Sequence, residues 1–212
     1  MMTSEMTCPE RSDICAPELG AYDRTIDRLR TFPSERKWPA NGPEAVHPYF
    51  AALLHVPPVA DHVTALGEFF ANAATRPSTY SAADREWADL VLAHVLGWNR
   101  VFYSHMTDAV AAGVRPLAIK ALRDDAIGDL TPDEASLRDY VVAVHDGCVD
   151  EDAYRAIQHR FGPRGAVEYT AFIGYLLMNF RVMQAFRVPN RTDREVNERL
   201  NRLIAVPPAS AM

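Results

Sequence analysis

The chain has 212 residues, of which 48% are hydrophobic and 24% are charged, and its formal net charge is -6. This length allows a buried core without disulfide or metal support, and the composition excludes wholesale disorder. The negative charge argues against a nucleic-acid groove or an anionic membrane surface as partner, because both need basic patches.

The sequence contains no run of about 18 apolar residues, so no membrane-spanning segment is predicted. The N-terminus lacks a basic region followed by an apolar one, so we expect no signal peptide and a cytoplasmic location. Cys8, Cys15 and Cys148 are scattered and form no CxxC pair. This pattern argues against a disulfide framework and against a zinc site with cysteine ligands.

Residues 1–45 show no sustained periodicity and contain five prolines. This pattern predicts an extended N-terminal arm with one or two helical turns around Tyr22–Arg30. After Pro48 the apolar residues recur every three or four positions, which is typical of amphipathic helices. The first of these patterns predicts a helix over residues 58–74.

Two further helices are predicted to meet at or near Gly97. The first begins after Ser81, a plausible N-cap, with Asp84 at the position of a capping box. The second starts at Trp98 and ends at Gly113, a residue typical of helix C-termini. Little room remains for a loop between the two helices.

The rest of the chain also has the periodicity of helices. Thr131, Pro132 and Glu134 form a strong helix-start signal, and this helix should continue to Gly147. Other helices are predicted over 116–123, 150–160, 164–186 and 192–203. No segment alternates between apolar and polar residues with period two, so the sequence predicts an all-α fold.

Two ionisable residues within apolar stripes are candidates for chemistry. His105 shares a face with Trp98 and Phe102, and an imidazole in such surroundings can donate or accept a proton near neutrality. Glu86 lies at the margin of the stripe on the preceding helix. Each residue alone also fits a structural role, His105 in the core and Glu86 at a helix N-terminus. If the two helices form a hairpin, the pair comes within reach of a proton relay.

The remaining histidines and one arginine fit structural roles at least as well as functional ones. His94 is expected to be a core or interface residue, and no histidines lie at the spacing of metal ligands. Arg181 interrupts a long apolar helix. Three roles fit this residue: a buried ion-pair partner, an anion-binding group, or part of a solvated helix edge. No Walker A loop, GxGxxG, HExxH or GxSxG motif is present. We therefore expect no metal and no cofactor.

The pattern around the two candidates resembles a known signature. Glu86, Trp98, Val101 and His105 have the spacing of the alkylhydroperoxidase D-like signature E-x11-C-x2-C-x3-H, here E-WADLVLAHVLG-W-NR-V-FYS-H. The wider layout, from about residue 48 to 189, is similar to the carboxymuconolactone decarboxylase-like branch of that family. The resemblance implies an alkylhydroperoxidase D-like helical bundle that assembles as a homo-oligomer, a trimer or hexamer.

The chain departs from this signature at both thiol positions, which hold Trp98 and Val101. Peroxidase turnover in the family needs an attacking thiolate and a resolving thiol, so this activity is not expected. The decarboxylase branch lacks the cysteine pair and keeps the histidine. Ser104 stands where many members of that branch have a second histidine.

The resemblance implies a cofactor-independent lyase that removes carbon dioxide from a carboxylated lactone or a related acid. His105 would be the acid or base and Glu86 would orient it, while Trp98, Val101, Phe102, Tyr103 and Arg181 would contact the substrate. The same relay suits isomerisation, dehydration or cyclisation. A different hypothesis is a non-catalytic oligomeric scaffold or ligand-binding protein of this fold.

The resemblance also suggests how the chain is divided. Residues 1–45 form the N-terminal arm, residues 46–189 the decarboxylase-like helical domain, and residues 190–212 a C-terminal helix and tail. A small-molecule substrate and further copies of the chain are the expected partners.

Overall fold

The computed structural model describes residues 7–31, 46–76 and 79–205. In these ranges the chain is helical and contains no strand, which confirms the predicted all-α class. The α-helices of the described residues are α1 Leu19–Arg30, α2 Pro48–Leu53, α3 Pro57–Ala71, α4 Ala82–Val95, α5 Asn99–Ala112, α6 Pro116–Arg123, α7 Pro132–Asp146, α8 Glu151–Ala185 and α9 Asp193–Ala205. None of them is both long and apolar enough to cross a membrane.

The described residues group into two compact units. The first combines the chain up to Asn72 with Asn179–Pro189, and the second combines Ala73–Met178 with the chain from Asn190 onward. The long helix α8 contributes its first part to the second unit and its end to the first. The predicted division into residues 1–45, 46–189 and 190–212 stays a prediction.

In the first unit, helix α1 is longer than the sequence predicts. It has 12 residues instead of one or two turns, and it buries Tyr22 and Thr25. Its Arg24 and Arg28 both form ion pairs with Asp61 on α3, a contact between distant residues that local periodicity does not predict. Residues 32–45 of the predicted arm lie outside the described residues.

The second unit begins with the predicted capping box. The Ser81 side chain accepts a hydrogen bond from the Asp84 backbone N–H at 3.1 Å, and the Asp84 carboxylate accepts from the Ser81 backbone at 2.9 Å. Helix α4 ends before Gly97, whose φ of +69° belongs to the left-handed region that glycine tolerates. Helix α5 starts two residues later and packs against α4. The predicted junction is thereby confirmed.

The later helices also follow the predicted signals. Thr131 and Glu134 form the expected capping box of α7. Helix α8 covers both the 150–160 and the 164–186 predictions, with a break at Gly162, whose φ is +69° and ψ 172°. Pro163 follows it and cannot donate the hydrogen bond that would continue the helix. The observed bounds of α3, Pro57–Ala71, are close to the predicted 58–74.

Candidate functional site

The inner face of α4 carries two buried carboxylates. Glu86 is 1% exposed and Asp89 is 4% exposed, among apolar neighbours on the same helix that include Trp87, Leu90 and Val91. Residues three positions apart lie on one face of a helix, so both carboxylates point the same way. Burial of an ionised carboxylate is costly unless it is paired, so both groups require partners.

His105 on α5 is the partner that joins the two carboxylates. Its Nδ1 lies 2.7 Å from Oε2 of Glu86 and 3.6 Å from Oδ2 of Asp89. The imidazole keeps 14% of its surface exposed, whereas Glu86 is enclosed. An ionised carboxylate only accepts hydrogen bonds, so Nδ1 donates to Glu86, and Nε2 is the ring nitrogen left to exchange a proton with a ligand.

Arg85 completes the charge pattern of the site. Its Nη2 donates to the other carboxylate oxygen of Glu86, Oε1. Glu86 is therefore held from two sides, by a guanidinium and by an imidazole. A carboxylate fixed in this way orients the histidine and stabilises the imidazolium that forms when the ring takes up a proton.

The geometry has two chemical readings. A buried carboxylate hydrogen-bonded to a partly exposed imidazole is an arrangement for general acid–base chemistry. The ligand atoms of Glu86, Asp89 and His105 also lie within 4.8 Å of one another, a spacing that a metal ion could bridge. The guanidinium of Arg85 already donates to one carboxylate oxygen of Glu86, which favours acid–base chemistry over a metal site. The expectation of a metal-free protein stays a prediction.

The residues predicted to line the substrate pocket begin at the first turn of α5. Trp98 is the N-cap residue of α5 and is 9% exposed, and Val101 is half-buried one turn before His105. Phe102 is fully buried, with its ring 6.4 Å from that of His94 and 5.8 Å from the Arg123 guanidinium carbon. Phe102 is thus a core residue in this structure, while its predicted contact with substrate stays a prediction.

Tyr103 points away from the acid–base pair. It is two positions from His105, a separation that places side chains on different sides of a helix. Its ring packs against the guanidinium groups of Arg191 and Arg199, whose central carbons lie 4.0 and 4.3 Å from the ring centroid. These contacts give Tyr103 a role in packing α5 against α9. The predicted contact of Tyr103 with the substrate stays a prediction.

Arg181 and His94 are occupied by their own local partners. Arg181 is exposed on the part of α8 that belongs to the first unit, and it donates to Gln184 at 2.9 Å. His94 Nε2 lies 2.8 Å from the Asp125 carboxylate, in keeping with the structural role expected for it.

Two residues of the site were missed by the sequence reasoning. Asp89 follows Glu86 by three positions, so a search for carboxylates on the helix face of Glu86 would have found it. Arg85 gives no such signal, because adjacent residues of a helix do not face each other and no spacing predicts that Arg85 contacts Glu86. Only packing reveals that contact.

Comparison with known proteins adds evidence on the fold. No protein-family model matches this sequence, and no functionally curated protein matches it. A solved structure of the alkylhydroperoxidase AhpD core, described as an uncharacterized peroxidase-related protein from Ralstonia eutropha JMP134, is similar with a TM-score of 0.58. The likeness covers 89% of this chain and 92% of the other, at 15% sequence identity. The chain has the alkylhydroperoxidase AhpD fold.

This fold is the one that the signature around Glu86 and His105 predicted. At 15% identity the likeness concerns the path of the helices and carries no activity with it.

Proposed function

We propose that the protein is a cofactor-independent lyase that decarboxylates a carboxylated lactone or a related β-keto or vinylogous acid. The observation that supports this proposal is the 2.7 Å contact between His105 Nδ1 and Glu86 Oε2, with Glu86 buried and His105 partly exposed. This pair can deliver a proton to a ligand and recover it from water. The AhpD fold provides the scaffold for it.

The reaction needs one proton and no electron acceptor. As the bond to the carboxylate breaks, carbon dioxide leaves and the electron pair moves into the adjoining carbonyl system as an enolate. His105 protonates the enolate carbon, and Glu86 stabilises and orients the imidazolium before transfer. Water then restores the proton to His105. Trp98, Val101 and Phe102 are proposed to line the apolar side of the substrate.

A thiol peroxidase fits the residues less well. The compared protein is described as peroxidase-related, but here Trp98 and Val101 stand at the positions of the two thiols in the signature. The cysteines of the chain are Cys8, Cys15 and Cys148, and none of them lies on α4 or α5. Without a thiolate beside His105, the pair has no nucleophile to attack a peroxide.

We also propose that the protein assembles as a homo-oligomer, a trimer or hexamer, in the cytoplasm. Helix α3 exposes Val59, Leu66 and Phe69 to 46, 42 and 44%. Their spacing of seven and three positions places them on one helix face. An apolar face of this kind is typical of a surface that another chain covers.

The test is direct incubation with carboxylated five-membered lactones and β-keto acids, followed by measurement of released carbon dioxide and NMR of the product. In deuterated water the product should carry one deuterium at the carbon that lost the carboxylate. Isomerised, dehydrated or cyclised product without carbon dioxide would assign the relay to another reaction. No turnover of any member of the panel, together with tight binding of one, would favour the ligand-binding alternative.

A further inference from the structure

Helix α8 is apolar on its outer side as well as on the side that faces the core. Its inner side buries Tyr169, Phe172 and Ile173. Between residues 165 and 180 the exposed residues are all apolar, and they form what is called here the α8 face: Val167, Ala171, Gly174 and Met178. A helix that is apolar around its circumference is normally covered on all sides. The α8 face is therefore a surface suited to contact with another helix.

The α8 face has the spacing and the relief of a helix–helix contact. Its members are separated by four, three and four positions, the repeat that places side chains along one seam between two packed helices. Ala171 and Gly174 at its centre are small. Apart from its chain neighbours, no side chain lies within 4 Å of the position that a Cβ on Gly174 would occupy. Val167 and Met178 at its ends are 71% and 40% exposed, so the centre of the face is lower than its ends.

Helix α3 of the first unit carries an exposed row with the opposite relief. This row, the α3 face, has spacings of three, four and three positions and consists of Val59, His62, Leu66 and Phe69. Its central members, His62 and Leu66, are bulky where those of the α8 face are small. At 1.5 Å per residue the α3 face is about 15 Å long and the α8 face about 17 Å. The two faces therefore match in length and in relief.

The charges at the edges of the two faces favour an antiparallel arrangement. Glu68, next to Phe69, is 62% exposed, and Arg164, one turn before Val167, is 65% exposed, although both have ion-pair partners in their own chain. When the helices run in opposite directions, these opposite charges come together, which fixes the register of a contact. The facing pairs are then Phe69–Val167, Leu66–Ala171, His62–Gly174 and Val59–Met178.

Two different complementary faces are what a ring of three copies requires. In a two-fold dimer, one patch pairs with the same patch of the other copy. A three-fold ring is built from heterologous contacts, in which one surface of each copy meets a different surface of the next. The chain presents such a pair of surfaces on α3 and α8.

We propose that the α3 face of one copy packs antiparallel on the α8 face of the next copy, and that this contact closes a ring of three. The occupant of the α8 face is thus a second copy of this chain. The small residues at its centre allow the helix axes to approach to about 8 Å, the short end of the usual range. This inference rests on the proposed homo-oligomer and does not depend on the proposed reaction.

The first test uses one variant for each face. Leu66→Glu blocks the α3 face and Ala171→Glu blocks the α8 face, because each places an unpaired carboxylate in the contact. Both positions are exposed in the single chain, and leucine, alanine and glutamate are all good helix formers, so far-UV circular dichroism should show an unchanged helix content. Light scattering should show that each variant alone loses the wild-type mass. Leu117→Glu is the matched control, since Leu117 is 60% exposed on α6 and belongs to neither face.

The second test mixes the two variants. Leu66→Glu keeps an intact α8 face and Ala171→Glu keeps an intact α3 face, so one contact can still form between the two chains. Native mass spectrometry of the equimolar mixture should find a complex with one chain of each variant. The double variant Leu66→Glu/Ala171→Glu has no intact face and should form no complex with either single variant.

The outcomes separate this inference from the proposed assembly. Wild-type mass in both single variants would leave the homo-oligomer standing and overturn the proposed contact. Loss of mass in Leu66→Glu alone would show that the α3 face meets a surface other than the α8 face. Mixed complexes formed equally well by the double variant would assign the contact to another surface. A monomeric wild type would contradict the homo-oligomer, and the proposed contact with it.

Discussion

His105 Nδ1 lies 2.7 Å from Glu86 Oε2, although the two residues are 19 positions apart in the chain and lie on different helices. The contact exists because the chain reverses at Gly97 between α4 and α5. It joins a buried carboxylate to an imidazole that keeps 14% of its surface exposed. That asymmetry is what an acid–base pair needs, since one partner orients and the other meets the ligand.

Replacement of His105 by glutamine should separate chemistry from stability. The amide can still donate to Glu86 but cannot transfer a proton, so kcat should fall by about 10²–10⁴-fold. The melting temperature should change little. His94→Gln is the control, because His94 pairs with Asp125 and should keep wild-type kcat. Unfolding of the His105 variant without a separable loss of kcat would show that the residue is structural.

Replacement of Glu86 by glutamine should lower kcat by less than loss of His105 does. The imidazole remains, but it loses the charge that stabilises its protonated form. Asp89→Asn should have a still smaller effect, since Asp89 lies 3.6 Å from Nδ1 while Glu86 lies 2.7 Å away. Steady-state kinetics of both variants on one substrate checks this order. The reverse order would make Asp89 the residue that orients His105.

The protein should not turn over alkyl hydroperoxides. Trp98 and Val101 occupy the two thiol positions of the signature, and neither can attack a peroxide. A coupled peroxidase assay compares the wild type with a variant in which Cys8, Cys15 and Cys148 are replaced by serine. Robust turnover by that variant would contradict the prediction, and turnover by the wild type alone would assign the activity to these cysteines.

The mass in solution should be that of a trimer or hexamer at micromolar concentration, as measured by light scattering. If the apolar face of α3 forms the contact, Leu66→Glu should reduce the mass, because a buried unpaired carboxylate disfavours an interface. Leu117→Glu is the control, since Leu117 is 60% exposed on α6. A monomeric wild type would contradict the proposed assembly.

Asp61 should make the first unit sensitive to acid. Hydrogen bonds from Arg24 and Arg28 lower the pKa of Asp61 below its ordinary value of 3.8. Because the folded pKa is the lower one, the stabilisation is complete above the unfolded value and is lost as pH falls through the folded pKa. Asp61→Asn should therefore cost about 1–3 kcal/mol near neutrality, with the difference disappearing in acid. Denaturant unfolding of both proteins at several pH values measures this.

The sequence alone determined the helices of the second unit, because their signals are local. The capping boxes at Ser81 and Thr131 each involve residues three positions apart, and Gly97 and Gly113 have the backbone conformations expected of them. Such signals act through hydrogen bonds within one turn, so the chain's own order fixes them. The Glu86–His105 spacing was likewise readable, through its resemblance to a known signature.

Only the tertiary structure decided which side chains surround that pair. The rotation of α4 and α5 about their axes places Asp89 beside His105 and turns Tyr103 toward Arg191 and Arg199. Arg28 on α1 pairs with Asp61, 33 positions further along the chain. The ring of Tyr80 is enclosed by Phe161, Tyr169 and Phe172 of α8. These features come from contacts between elements distant in the chain, whose geometry is set by the packing of the whole core and not by any local pattern.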